Sequence, residues 1–310
     1  MQNPANFIDP EWTIIKLLKW TTSYFKSRDI ESPRATAEIL LAHVLELKRI
    51  DLYLRYDQPL CAEELSRFKA LIKRRVKREP VAYILGFKEF WSMDFAVTKD
   101  VLIPRPETEF LVEAAFKLLP EDSISKQHLT RKRILELGTG AGAVILALAS
   151  MRPNHLFFAS DRAVAAAVLA KQNAEHHGLH RGVNFFCSDW FDTFGNGKPL
   201  FDVIVSNPPY VPSGMIAGLQ PEINRYEPIS ALDGGEDGFS SLRSIVNAAH
   251  LYLCREGCLL LEIGHDQKDD VLKIIEQSGN YEKVIFTKDY SGYDRIVQMQ
   301  KREHNKRTAF

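Results

Sequence analysis

The sequence predicts an α/β protein: a parallel, doubly wound sheet with an antiparallel hairpin at one edge, preceded by a small helical domain. Three observations predict it. Between residues 133 and 299, short apolar runs alternate with helical segments. Those runs lack polar alternation, the pattern of strands covered on both faces. Before residue 80 the apolar residues recur at helical period only,.

The elements follow in chain order. Glu11 to Phe25 carries Ile14, Leu17, Leu18, Thr21 and Phe25 near helical period. Ser32-Pro33 opens a second helix, with proline in the first turn and Ala35, Ile39, Leu40 and Val44 on one face,. Leu52 to Tyr56 is a short apolar piece, and Ala62 to Lys77 a long amphipathic helix. Its cluster Lys73, Arg74, Arg75, Lys77 and Arg78 reads first as a solvated helix face, with a partner surface as the functional alternative,. Phe90, Phe95 and Val97 suggest a β-hairpin turning near Ser92-Met93-Asp94,. This gives a helical domain over 1–86, a hairpin linker over 87–103 and a sheet domain over 104–310. In the last, Glu107 opens a helix to Leu119. Strands are expected at 133–137, 156–159, 183–187, 203–205, 259–263, 284–286 and 295–299. The last two have no helix between them, hence the edge hairpin.

Composition sets limits. Lys plus Arg (40) equals Asp plus Glu (40), which argues against a general nucleic-acid coat protein,. Four cysteines in 310 residues are too few for a disulfide framework and fit a reducing, cytoplasmic setting,. Cys254 and Cys258 read as small apolar residues flanking a turn; without a second ligand pair at zinc spacing, no metal site is expected,. The start, MQNPANFIDPEW, lacks the basic and apolar order of a signal peptide, and no run of about 18 apolar residues marks a membrane span,.

Two strand ends carry chemistry. Ile134 to Leu137 runs into Gly138-Thr139-Gly140-Ala141-Gly142 and then a helix. Glycines there allow positive φ and let a ligand lie against bare main chain. Asp161, about twenty residues on at the next strand end, can accept both hydroxyls of a ribose,. Read as G-x-G-x-x-A the turn suits a dinucleotide; read as G-x-G-x-G it suits S-adenosylmethionine. Glu136 can act electrostatically on an amino group. Asp189 can accept from an adenine amine and Trp190 can lie beside the ring. The alternative for this pair is a helix cap and a core tryptophan.

The second is Val203-Ile204-Val205, which ends in Ser206-Asn207-Pro208-Pro209-Tyr210. Two prolines cannot donate ladder hydrogen bonds, so the strand stops there. Ligands of open α/β sheets bind beyond such strand ends. A planar NH2 group on an sp2 carbon is a poor nucleophile. The Asn207 side-chain oxygen and the Pro208 carbonyl can take its two hydrogens, while Tyr210 stacks on the flat acceptor. Positioning and fixed dipoles then carry the catalysis. This clamp favours S-adenosylmethionine over a dinucleotide at the glycine turn.

Several segments together resemble the release factor glutamine methyltransferases (the PrmC/HemK family). They are IPRPETE at 103–109, ELGTGAG at 136–142, SNPPYVPSG at 206–214, EPISALDGGEDG at 227–238 and LEIGHDQ at 261–267. EPVAYILG at 79–86 and SGYDRIV at 291–297 extend the similarity over nearly the whole chain. N-P-P-Y alone is shared with adenine-N6 DNA methyltransferases. The resemblance implies a Rossmann-like S-adenosylmethionine-dependent methyltransferase acting on the side-chain amide nitrogen of the glutamine in the Gly-Gly-Gln tripeptide of class-1 peptide release factors. It implies that Gly138 to Gly142, Asp161, Trp190 and Asn207 contact S-adenosylmethionine, that Asn207, Pro208, Pro209 and Tyr210 hold the glutamine, and that the helical domain docks the release factor. A cytoplasmic monomer without membrane or DNA binding is expected. Ala141 stands where relatives often carry Ser or Thr, Glu136 replaces a common Asp, and residues 254–258 depart from the usual Pro-Gly-Gly turn. An adenine-N6 nucleic-acid methyltransferase is the alternative; it would have to flip its base out of a duplex.

Overall fold

The computed structural model describes residues 12–120, 131–195 and 197–303. The reading of the start as no signal peptide falls on residues outside them, as does Glu11, where the first helix is expected to open. The chain divides into two compact units: one runs through Gly86 and includes Pro221–Tyr226, the other takes Phe87–Gln220 and continues from Glu227.

The first unit is helical: α1 (Ile14–Lys26), α2 (Pro33–Leu45), α3 (Asp51–Leu54), α4 (Ala62–Val76) and α5 (Val81–Leu85). Their apolar stripes meet in a core around Ile14, Phe25, Leu40, Leu41, Leu52 and Phe68. The basic cluster of α4 is not one solvated face. Arg75 is buried, and its guanidinium meets Glu222 at 2.7 Å and the Glu79 carbonyl at 3.2 Å. Arg78 joins Glu222 at 2.9 Å, and Arg74 binds the Glu79 carboxylate and the carbonyls of Tyr83 and Ile84. Only Lys73 and Lys77 of the cluster are exposed. The partners of Arg75 and Arg78 come from a segment 147 residues from Arg75, which local charge reading cannot see.

The second unit opens with β1 (Phe87–Phe90) and β2 (Met93–Ala96), paired antiparallel. Their turn is Trp91-Ser92, both at positive φ, the geometry that matches the twist of a two-residue hairpin,. A short 3-10 turn at Pro106–Thr108 leads into α6 (Glu109–Phe116), shorter than the expected run to Leu119. Then come β3 (Arg133–Leu137), α7 (Ala143–Met151), β4 (Leu156–Asp161), α8 (Val164–His176), β5 (Val183–Cys187) and β6 (Phe201–Ser206). After α9 (Pro221–Asn224), which belongs to the first unit, follow α10 (Ser240–Tyr252), β7 (Leu253–Glu262), α11 (Lys268–Ser278), β8 (Tyr281–Lys288) and β9 (Asp294–Lys301).

The sheet order is β5-β4-β3-β6-β7-β9-β8. The first five strands are parallel; β9 runs antiparallel to β7 and to the edge strand β8. One core, including Leu111, Ile145, Phe157 and Val205, fills one face, and another, including Ile204, Leu242, Val246 and Leu259, fills the other. This is the doubly wound sheet with its antiparallel edge. One local expectation fails: Cys254 to Cys258 lies inside β7 and not in a turn. The register against β6 shifts there, with Phe201 opposite Leu253 and Val203 opposite Cys258, and Glu256 takes positive φ. A bulge of this kind reads as a turn in sequence. Among the described residues, no helix is long and apolar enough to cross a membrane.

Strand order reverses between β3 and β6, since β4 follows β3 on one side and β6 lies on the other. Such a switch leaves a crevice at the carboxyl ends of the two strands.

Candidate active site

The glycine turn forms the first wall. Gly138, Gly140 and Gly142 all take positive φ, at +70°, +53° and +83°. A side chain at Gly142 would press on Ala170 and Leu146 at 3.1 and 3.2 Å, so this glycine packs α7 against α8. At Gly140 an added Cβ would meet no protein atom within 4 Å: its bare face opens on space. The turn is tied down from β4. Thr139 N donates to the Ser160 carbonyl and Gly140 N to Asp161 Oδ2, each at 2.9 Å. Asp161 Oδ1 accepts from Ala163 N at 2.9 Å. Each carboxylate oxygen has a further lone pair.

Glu136 lies beneath this turn, buried. Its Oε2 accepts from the Thr139 hydroxyl at 2.6 Å and from Ile145 N at 3.2 Å. Burial pushes its carboxyl up to about 8, opposed by those two hydrogen bonds and reinforced by the charge of Asp161,. Among the described residues no cation offsets it, so it is a carboxyl that a positively charged ligand would help to ionise.

At the end of β5, Ser188 N donates to the Asp161 carbonyl at 3.1 Å, and Ser188 Oγ accepts from Thr193 N. Ser188 thus braces the 3-10 turn at Asp192–Phe194 but is not its N-cap, which is Phe191 without a side-chain cap bond. Asp189 is exposed, and Trp190 sits at φ +43° with its ring near Gly138. One cavity is lined by Glu136, Gly138, Thr139, Gly140, Ala141, Asp161, Asp189, Trp190, Asn207 and Pro209. Gly142, Pro208 and Tyr210 do not line it. Val101, Leu102, Pro104, Arg105 and Thr108 do, and residue-by-residue reading assigned them nothing. Pro104, Arg105 and Thr108 lie in the IPRPETE segment, while Val101 and Leu102 precede it and carry no signal.

The proline clamp forms the opposite wall. β6 ends at Ser206, one residue before Asn207, and the Ser206 hydroxyl donates to the Leu137 carbonyl at 2.8 Å. Asn207 Nδ2 donates to Thr108 Oγ1 at 3.1 Å. The Tyr210 hydroxyl donates to Glu262 Oε1 at 3.4 Å, and burial keeps that phenol neutral. The Tyr210 carbonyl accepts from Gln267 Nε2 at 3.0 Å. The ALDGGEDG segment wraps the clamp: Val211 N donates to the Leu232 carbonyl at 3.0 Å and Gly234 N to the Val211 carbonyl at 2.9 Å. A Cβ at Gly238, where φ is +84°, would lie 2.7 Å from the Tyr210 carbonyl, so only glycine fits,. Glu227, buried, accepts from Ile103 N and pairs with Arg105, holding the IPRP segment.

Gly138 to Ala141 of the glycine turn, Asp161, Asn207 and Pro209 thus line one crevice. Residues 16–86 match the model described as the PrmC N-terminal domain, and residues 113–217 that of the methyltransferase small domain. The chain carries a methyltransferase domain. It is 41% identical over 286 residues to the release factor glutamine methyltransferase of Geobacter sulfurreducens, covering 92% of this chain and 96% of that protein. It is 39% identical to the Coxiella burnetii protein of the same name, covering 86% and 91%. Among solved structures it is similar in fold to a human methyltransferase 10 domain containing protein, with TM-score 0.51 and 16% identity, covering 69% of this chain and 90% of that one. The chain belongs to the release factor glutamine methyltransferase family.

Proposed function

We propose that this protein transfers a methyl group from S-adenosylmethionine to the side-chain amide nitrogen of the glutamine in the Gly-Gly-Gln tripeptide of class-1 release factors, and so modulates translation termination. One observation carries the assignment of roles. Asn207 turns its NH2 toward Thr108 at 3.1 Å, which leaves its Oδ1 as the acceptor at the crevice end of β6.

The residues fit S-adenosylmethionine. Asp161 keeps lone pairs for two ribose hydroxyls beyond the two backbone N–H groups it already accepts. The open face of Gly140 gives a ligand room against main chain. Glu136 lacks a cation that the ligand's amino group would supply. Asp189 and Trp190 line the same cavity; with S-adenosylmethionine bound, Asp189 would accept from the adenine amine and Trp190 would lie beside the ring. When bound, S-adenosylmethionine supplies a methyl group on a positively charged sulfur.

Asn207 Oδ1 and the Pro208 carbonyl take the two hydrogens of the glutamine NH2. They hold its nitrogen in line and raise its electron density as charge develops. Pro209 lines the cavity and fixes the backbone, and Tyr210, held outside the cavity lining by Glu262 and Gln267, would stack on the flat amide once the substrate is bound. No strong base is needed, because the alkylated nitrogen sheds its proton easily to water. Removing one such preorganised group typically costs about 100- to 1000-fold in rate. All four cysteines are free, in keeping with a reducing cytoplasm,.

The test is direct: incubate the protein with methyl-labelled S-adenosylmethionine and either a purified unmodified class-1 release factor or unmodified DNA. Label on the release-factor glutamine is expected. Label in DNA alone would overturn the reading.

A further inference from the structure

Among the described residues, β2 has β1 as its one strand partner. Phe90 opposite Met93 closes the two-residue turn of that hairpin. By the alternation of antiparallel pairs, Asp94 and Ala96 then turn their N–H and C=O groups away from β1. Helix α8 meets those groups. His177, its C-cap residue, donates from Nε2 to the Asp94 carbonyl at 2.8 Å. Asn173, one turn earlier and 2% exposed, takes Ala96 on both sides. Its Oδ1 accepts from Ala96 N at 2.9 Å, and its Nδ2 donates to the Ala96 carbonyl at 3.1 Å. Two residues of strand advance about 6.6 Å and four of helix about 6 Å, so the two spacings match.

The same Nδ2 also donates to the Ala141 carbonyl at 2.8 Å. Ala141 belongs to the glycine turn and lines the crevice. Its peptide link to Gly142 is thereby held at both ends, because Gly142 N donates to the Thr139 carbonyl at 2.8 Å. Ala96, for its part, leads within a few residues to Asp100, Val101 and Leu102, which line the same crevice from another side.

We infer that Asn173 is a positioning residue for S-adenosylmethionine: one buried amide joins the glycine turn to the segment after β2 and sets the spacing of two walls of the crevice. This rests on the reading of that crevice as the S-adenosylmethionine site.

The chemistry of the side chain makes the joint specific. An asparagine amide has one acceptor oxygen and two N–H donors, and here the oxygen and both donors are engaged,. Turned round, it would set NH2 against the Ala96 N–H and its oxygen against two carbonyls, so it stands one way only. Aspartate has the same size but, when ionised, cannot donate; it would face both carbonyls with an acceptor and leave them unpaired, which is costly for buried groups. The turn and the hairpin would then part. A ligand that pins Ala141 pins Asn173 and, through it, Ala96. The hairpin is the first element after the helical unit's run ends at Gly86, so the occupancy of the crevice is felt at the start of the second unit.

The test uses the full chain with Asn173→Asp and His177→Ala. The second variant loosens the hairpin from α8 and leaves the glycine turn untouched. By titration calorimetry, Asn173→Asp should bind S-adenosylmethionine at least about tenfold more weakly, with a smaller loss in kcat at saturation, while His177→Ala stays within about threefold of wild type. A second measurement needs no variant. Ala96 does not line the crevice, yet its amide hydrogen exchange in wild type should slow about threefold or more when S-adenosylmethionine saturates the protein,. Where Asn173→Asp fails to fold, that exchange rate decides. Wild-type affinity in Asn173→Asp, or an Ala96 exchange rate unmoved by the ligand, would overturn the inference. Equal weakening in both variants would also overturn it, leaving Asn173 as a support of the hairpin only. A wild-type protein that does not bind S-adenosylmethionine would overturn the reading of the crevice itself, and this inference with it.

Discussion

Gln267 joins two backbones at the clamp: its Nε2 donates to the Tyr210 carbonyl at 3.0 Å, while its Oε1 accepts from Gly264 N at 2.8 Å. Gln267 is buried, so its loss leaves a buried carbonyl and a buried N–H unpaired. Gln267→Ala should destabilise the protein by about 2–4 kcal/mol. It should also lower kcat more than it weakens S-adenosylmethionine binding, because it loosens the clamp and not the glycine turn. Chemical denaturation and titration calorimetry, run beside the methylation assay, check this. Equal losses in affinity and kcat would count against it.

Gly140 separates ligand contact from protein packing. An alanine there meets no protein atom, and the left-handed backbone costs about 1–2 kcal/mol,. Its methyl group enters the space assigned to S-adenosylmethionine. Gly140→Ala should therefore fold with a modestly lowered melting temperature and bind S-adenosylmethionine at least about tenfold more weakly. Unchanged affinity would remove the turn from the ligand site.

The buried carboxyl of Glu136 makes a pH prediction with an uncommon sign. Its folded-state value is raised from 4.5 to about 8, and that of Glu262 to about 7, both first through burial. Across this window the folded chain holds protons that the unfolded chain has released, so stability falls as pH rises from about 4.5 toward 8,. Thermal unfolding of ligand-free protein should show the fall, and Glu136→Gln should flatten it. Affinity for S-adenosylmethionine should rise over the same window in the wild type, because ionised Glu136 then faces the ligand's cation. A stability curve that climbs toward pH 8 equally in both proteins would contradict the burial argument.

The α4 cluster should behave as structure in part. Arg75 and Glu222 are paired with side-chain exposures of 5% and 15%. Removing Arg75 leaves Glu222 with Arg78 alone, so Arg75→Ala should cost up to about 3–5 kcal/mol in urea denaturation. Charge reversal at the exposed Lys73 and Lys77 should stay within about 0.5 kcal/mol. Loss of release-factor binding in Arg75→Ala at full stability would restore a docking role for that arginine.

What the sequence made legible was local. Continuous apolar runs such as Ile134–Leu137 and Val203–Val205 marked buried parallel strands, and Pro208-Pro209 marked where β6 must stop. The missing helix before β9 marked the antiparallel edge. The site residues at strand ends were legible for the same reason: the doubly wound topology brings those ends together. What was not legible depended on pairing across long separations. Arg75 looked solvated because its partner Glu222 is distant in sequence. Thr108, Glu262 and Gln267 surround the clamp through register and loop closure, with no periodic pattern of their own to show it. Cys254–Cys258 looked like a turn because a bulge with positive φ at Glu256 uses turn chemistry inside a strand.

The central claim is that Asn207 holds the acceptor amide, and one comparison tests it most directly: methyl transfer and S-adenosylmethionine affinity measured side by side in wild type and Asn207→Ala. The account predicts that turnover on a class-1 release factor falls by at least about 100-fold while S-adenosylmethionine affinity falls far less. Turnover within a few-fold of wild type would contradict it.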